Sequence, residues 1–586
     1  MNDQRTCFRE VGYSLNDLMT YINEGDIALP DIQRPFVWPN KNVRDLFDSM
    51  YRGYPVGYFL FWQNEDVTNT RHIGTDDKKQ RRARDLIVDG QQRLTSLFAV
   101  MRDKAVLDSN FRERKIEIAF RPSDGRFEVT SAAIRRDPNW IPNISVLWAD
   151  GQEIHFFIAG FLEDLGTASD DPSEDRKRIA RNISRLHNLL EYPFTALEIA
   201  ATVDEEQVAD IFVRINSKGK QLNQADFILT LLSVHWEEGR VALEDFCRSA
   251  RGPDTRTSPF NHFISPEPDQ LLRVAIGYGF ERSRLKSVYQ ILRGRDPETG
   301  QVSEARRNEQ FDTLRKAQSD VLDLSNWHPF FACLVAAGYR GSDMITSKNT
   351  ILFSYILYLQ GRRKFNMSHG TLQRIIARWF FAASLTGRYT SSPETVMDAD
   401  LARIRGLQEH DSDAFQAALE SSLQTELPND FWNITVPEKL ATSSSLSPSL
   451  FAYDAAQNKL DAPVLFSNLL IRDLKDPAIR ANRKPLERHH LFPKGYLERE
   501  MNLEQTQINQ IANYALLQWP DNMEIGDRPP SEYVPELKER FSPDKWNQMC
   551  EIHALPNDWE SMPYQEFLEQ RRRRMAQIIR RGYDAI

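Results

Sequence analysis

An α+β protein of several domains is predicted from three observations. Strand-length apolar runs, such as Leu86-Ile-Val88 and Tyr58-Phe-Leu-Phe-Trp62, lie between amphipathic helical stripes through residue 236. Residues 237–440 carry mainly helical periodicity. After the Ser-rich stretch Ala441–Ser449, strand, turn and helix signals mix again to residue 586. The expected domains are therefore 1–236, 237–440 and 441–586.

The first helix is expected at 13–24, where Leu15, Leu18, Met19 and Ile22 share one face. Pro30, Pro35 and Pro39 then hold 28–39 extended, presenting Gln33 and Arg34. Val43, Leu46, Phe47, Met50 and Tyr51 form a second stripe, and the aromatic run 58–62 suits a strand. A polar loop from Gln63 ends in Lys78, Lys79, Arg81, Arg82 and Arg84, a charge run that is either a solvated face or a steering field for an anion.

Leu86–Val88 is next, a strand broken by Asp89-Gly90. From Gln91 the period changes, with Leu94, Leu97, Phe98 and Met101 on a helical face. Asp89, Gly90, Gln91, Gln92 and Arg93 thus stand at a strand-to-helix corner, beside free backbone N–H groups and the positive end of a helix dipole. Such a corner suits a phosphate and its cation, and equally a solvated turn before a helix.

Lys115–Phe120 and Arg126–Val129 read as a hairpin, and Pro193–Ala200 as a strand. Val208–Ile215 reads as a helix closed near Gly219, and 224–232 as another with Asn223 as its cap. Between them Arg214, Asn216 and Lys218 form a donor-rich turn, or an ordinary helix–loop–helix joint.

The middle region is apolar at 270–276, 349–357 and 372–384 and shows no motif that carries chemistry. Val464–Leu470 begins a core element of the last domain. Ile508, Ile511, Ala512 and Ala515 are spaced as a helical stripe around Asn513, and a terminal helix is expected over 564–581. Its four consecutive arginines, Arg571, Arg572, Arg573 and Arg574, cannot all face inward on a helix. They make either a DNA-facing surface or a solvated end.

Composition sets the bounds. The chain has 586 residues and a formal charge of -9, so any nucleic-acid surface must be local. Cys7, Cys247, Cys333 and Cys550 have no CxxC spacing, so neither a disulfide framework nor a cysteine zinc site is expected. The polar start and the lack of a long apolar run predict a cytoplasmic protein without a membrane partner.

His489 and His490 are adjacent, so on a strand they face opposite ways. One can ligate a cation while the other faces a substrate. Phosphodiester hydrolysis needs a base for water and a cation for the charge that develops at phosphorus. The order His489-His490-Leu-Phe-Pro493, then Asn513, then Asn522 resembles the HNH (ββα-metal) nuclease domain of GmrSD-type enzymes. His490-Leu491-Phe492-Pro493 stands where that family has His-Ile-x-Pro. The resemblance implies His490 as general base and Asn513 as orienter of the base or the scissile phosphate. It implies His489 and Asn522 as ligands of one divalent ion, Mg²⁺ or Mn²⁺. His489 departs from the acidic residue common at that place, which leaves the metal preference open.

Three earlier blocks resemble the GmrS-like domain, of ParB/sulfiredoxin type: Pro30–Trp38, Val88–Thr95 and Phe212–Leu222. This implies a domain that binds and hydrolyses a nucleoside triphosphate (ATP, GTP or another). Asp89 would hold its metal or orient water, Gln33, Arg34, Gln92 and Arg93 would contact phosphates, and Asn216 and Lys218 would close the pocket. No Walker A motif accompanies them. The implied function is a nucleotide-regulated endonuclease cutting modified DNA in antiphage defence, with a homo-oligomer left open. The alternatives are a non-cleaving, nucleotide-gated DNA-binding scaffold and an RNase acting in abortive infection.

Overall fold

The computed structural model describes residues 7–30, 38–63, 70–71, 85–107, 113–149, 151–165, 172–203, 207–208, 211, 236–253, 257–284, 294, 303–478 and 486–586. Two compact units divide the chain, at 1–240 and 241–586.

The first unit is built on a six-stranded mixed sheet. Its strands are β1 (Phe8–Ser14), β2 (Ile27–Pro30), β3 (Phe59–Gln63), β4 (Thr70–Arg71), β5 (Asp85–Asp89) and β10 (Pro193–Ile199). Their order is β1-β10-β3-β5-β2-β4. Two short pairs complete the strands among the described residues: β6 (Val106–Leu107) with β7 (Glu113–Arg114), and the expected hairpin β8 (Ile118–Arg121) with β9 (Arg126–Val129).

Alternation along β3 sorts the core. Phe59 and Phe61 join one large cluster with Leu15, Leu18 and Met19 of α1 (Leu15–Glu24), with Val43, Phe47 and Met50 of α2 (Asn40–Tyr51), and with Leu94 and Leu97 of α3 (Gln91–Met101). Leu60 and Trp62 point the other way, to Val88, Ile199, Val203 and Val208. α4 (Ile154–Asp164) and α5 (Pro172–His187) precede β10. α1 starts as its sequence requires, with Ser14 and Asp17 forming a reciprocal capping box.

Among its described residues the second unit is mostly helical, with one two-stranded sheet, β11 (Glu487–His490) paired antiparallel to β12 (Tyr514–Leu517). The expected terminal helix runs Tyr564–Asp584 and packs on the helix Pro448–Lys459. A Cβ at Gly582 would lie 2.4 Å from the Ala456 Cβ, so the close crossing of these two helices requires glycine there. Mixed α and β content is as expected.

One local expectation is corrected. The stripe Ile508–Ala515 is not a helix. Asn509 and Gln510 break it, a single 3-10 turn follows at Ile511–Asn513, and Tyr514 enters β12. Val464–Leu470 enters the core as expected, with Val464, Leu465 and Phe466 buried, as an irregular segment tied by a bridge between Pro463 and Leu470. All four cysteines are free thiols, and among the described residues no helix is long and apolar enough to cross a membrane. The expected helices around 208–215 and 224–232 fall almost wholly outside the described residues.

Candidate active site

β11, β12 and the helix Trp519–Ile525 carry the residues of the C-terminal motif. The strand alternates as expected. Glu487 and His489 share one face, and Arg488 and His490 the other. His490 pairs across the ladder with Tyr514, its ring centroid 4.7 Å away. Its Nε2 stands 2.9 Å from Asn509 Oδ1, which leaves Nδ1 for a proton. Burial, and secondarily the Lys494 charge, lower the pKa of His490, so the ring is neutral and basic at pH 7.

On the opposite face His489 is buried. Its Nδ1 lies 2.5 Å from Asn522 Oδ1, and Asn522 Nδ2 donates to Glu487 Oε2 at 2.6 Å. The other ring nitrogen, Nε2, is buried and has no hydrogen-bond partner among the described residues. Burial pushes the His489 pKa down to about 4.

Asn513 is placed differently from the expectation that it orients the base or the phosphate. It is fully buried and faces the backbone. Its Oδ1 accepts from Phe492 N at 2.9 Å, and its Nδ2 donates to the Phe492 and Ile508 carbonyls at 3.1 and 3.2 Å. Its own carbonyl accepts from Leu491 N at 2.7 Å. Both ends of the amide are thereby committed, and Asn513 positions the turn after His490. Tyr533 holds the same turn, donating to the Leu491 carbonyl at 2.6 Å. Asn509 is the asparagine that meets the base, and its sequence context gives no sign of that. Glu487 was also missed, although strand alternation puts it beside His489.

The arginine run is corrected as well. Arg571 does not face DNA. It is fully buried, donating to the Ala512 carbonyl at 2.7 Å and to the His553 carbonyl at 3.3 Å. Arg572 is partly buried, Arg573 is paired with Glu569 at 2.7 Å, and Arg574 donates to the Leu555 carbonyl at 3.3 Å. The helix buries one side of the run, because Phe567, Leu568, Met575 and Ile578 set its inner face.

His553, which Arg571 holds by its carbonyl, supplies a pH test. Burial, with a smaller push from the Arg571 charge, lowers its pKa to about 4, while its Nε2 lies 2.8 Å from the Pro463 carbonyl. The folded pKa is below the unfolded value, so its contribution is complete above about pH 6.5 and is lost as pH falls toward 4. At pH 5 the loss is about 2 kcal/mol. Urea unfolding at pH 7 and pH 5 should show it, and His553→Gln should shrink the difference; an equal difference in both proteins would contradict this assignment.

In the first unit Asp89 ends β5 and Gly90 opens α3. Gly90 has φ +94°, and a Cβ there would meet Phe59 Cδ1 at 2.5 Å, so only glycine fits. Gln91 and Gln92 occupy the first turn of α3, both partly buried. Arg93 turns back instead of outward. It donates to the Val56 and Tyr58 carbonyls at 2.5 and 2.6 Å, lies over the Phe59 ring, and stands 3.9 Å from the Asp89 carboxylate. Its expected phosphate contact gives way to holding the loop before β3. Gln33, Arg34, Arg214, Asn216 and Lys218 lie outside the described residues, as does the basic run 78–84.

Residues 15–233 match the family described as GmrSD restriction endonuclease, N-terminal domain. An uncharacterized protein of Methanocaldococcus jannaschii is similar along nearly the whole length, 24% identical over 566 residues. That alignment covers 90% of this chain and 87% of the relative. The family match lies within the first unit, so the β11–β12 centre is read from its own geometry.

Proposed function

We propose, for a chain whose first unit carries a GmrSD-type N-terminal domain, that the second unit is a metal-assisted DNA endonuclease of the HNH kind. One observation carries this reading. Two adjacent neutral imidazoles sit on opposite faces of one short strand, His490 with a free basic nitrogen and His489 with a buried, unpartnered one.

The residues fit a divalent ion. An unprotonated Nε2 with no partner among the described residues offers the lone pair a divalent ion takes, and a carboxylate lies one amide away. Among the described residues no cluster of three His, Cys, Asp or Glu side chains is ready-made for a metal, so the phosphate and water would complete the shell. A nitrogen donor favours Mn²⁺ over the oxygen-preferring Mg²⁺. When bound, the ion neutralises charge on the phosphate and on the departing oxygen.

The chain's own groups supply the rest. His490 Nδ1 takes a proton from water as that water's oxygen attacks phosphorus, and the bond to the leaving oxygen breaks. Asn509 fixes the ring by its other nitrogen, 2.9 Å away. Asn513 and Tyr533 fix the turn that follows. Asp89, Gly90 and the N-terminus of α3 are proposed to take a nucleoside triphosphate that regulates cutting, and modified DNA in antiphage defence is the proposed substrate.

The test is digestion of unmodified, phosphorothioated and glucosylated DNA, and of RNA. Each is run with Mn²⁺ or Mg²⁺, with and without ATP or GTP. Cation-dependent cutting of a modified DNA is expected. No cutting of any DNA or of RNA would overturn the nuclease reading, and cutting of RNA alone would replace the substrate.

A further inference from the structure

We infer that Glu487 is a positioning residue of this centre. Acting through the Asn522 amide, it selects the tautomer of His489 that presents a bare Nε2 lone pair to a divalent ion. The inference rests on the metal-dependent reading above and assigns Asn522 a place behind His489, not beside it.

Hydrogen-bond direction fixes the tautomer. A carboxylate only accepts, so the Asn522 group 2.6 Å from Glu487 Oε2 must be its NH₂. The amide oxygen therefore faces His489, 2.5 Å from Nδ1. An amide oxygen also only accepts, so Nδ1 carries the hydrogen. In a neutral imidazole the other nitrogen is then unprotonated, and that atom is Nε2, which is buried with no partner among the described residues. A buried lone pair is costly unless it meets a donor or a cation, and a three-residue chain of polar contacts that fixes it in place suits a metal-ligand nitrogen. A metal-bound histidine ordinarily has its second nitrogen held by such a chain.

Strand alternation places Glu487 and His489 on one face, and the helix Trp519–Ile525 delivers Asn522 between them. Where an acidic residue at 489 would bring its charge directly, this chain keeps a carboxylate two residues earlier and connects it through an amide.

Glu487→Gln tests this, since it keeps the shape but can present either end of its own amide, so the direction is no longer enforced. Mn²⁺ binding is read from the electron paramagnetic resonance of the free ion, and the tautomer from ¹⁵N spectra of histidine-labelled protein, with His489→Ala to assign the signal. The wild type is expected to show one tautomer at His489, protonated on Nδ1. Glu487→Gln is expected to show a mixture and bind Mn²⁺ about tenfold more weakly, with an unchanged melting temperature of the metal-free protein. An unchanged tautomer with wild-type affinity overturns the inference. Weaker binding with an unchanged tautomer also overturns it, making Glu487 a direct ligand. If the wild type binds no Mn²⁺, the metal reading itself fails and takes this inference with it.

Discussion

Replacing His490 by alanine is expected to lower DNA cleavage about 10²–10⁴-fold, the usual contribution of a positioned general base. The fold should survive. His490 is only partly buried, and its loss removes one hydrogen bond, to Asn509, and a ring contact with Tyr514. The turn beyond it keeps its own supports in Asn513 and Tyr533. The two effects are separable by measuring cleavage rate and urea midpoint on the same preparation. The lowered pKa of His490 adds a pH signature: the rising limb of the rate should lie below the ordinary histidine range, because burial favours the neutral ring. Near-normal cutting by His490→Ala would remove this residue from the chemistry.

Arg571→Ala is expected to destabilise the second unit by about 3–5 kcal/mol, as for other large buried side chains cut to alanine. Its removal opens a cavity among Tyr453, Tyr533 and Phe567 and strips the donor from the Ala512 and His553 carbonyls. Each carbonyl left unpaired in the interior adds to the cost. An opposing effect sets the size. The guanidinium is fully buried and has no carboxylate beside it among the described residues, and burial lowers its pKa. Part of its contribution is thus spent on desolvation. Arg571→Met, which fills the space without a charge, should therefore lose less than alanine does. Ala512 precedes Asn513, so the alanine variant should also impair cleavage, while exposed Arg573→Ala should alter stability little. Equal, small effects of Arg571→Ala and Arg573→Ala on the urea midpoint would contradict the buried role.

Much of the framework was legible in the sequence because apolar spacing reports directly on which face is buried. The stripes of α1, α2 and α3 and the apolar run of β3 appear where that spacing puts them. The opposed faces of His489 and His490 followed from strand alternation alone. Polar residues were harder. Asn513 and Arg571 carry groups that usually meet water, and only tertiary carbonyls at Phe492, Ile508, Ala512 and His553 turn them inward. Asn509 carried no signal and Arg93 was assigned to phosphate for the same reason: their partners are distant in sequence or are backbone atoms, which no side-chain pattern records. The helical spacing of Ile508, Ile511, Ala512 and Ala515 misled because a 3-10 turn followed by a strand can bury the same residues.

Anomalous scattering from crystals grown with Mn²⁺ tests the centre most directly. A peak within ligand distance of His489 Nε2, on the side of β11 away from His490, is the expected result. Active, Mn²⁺-dependent protein whose crystals show no peak near His489, and a peak elsewhere, would contradict a hydrolytic centre built on this strand.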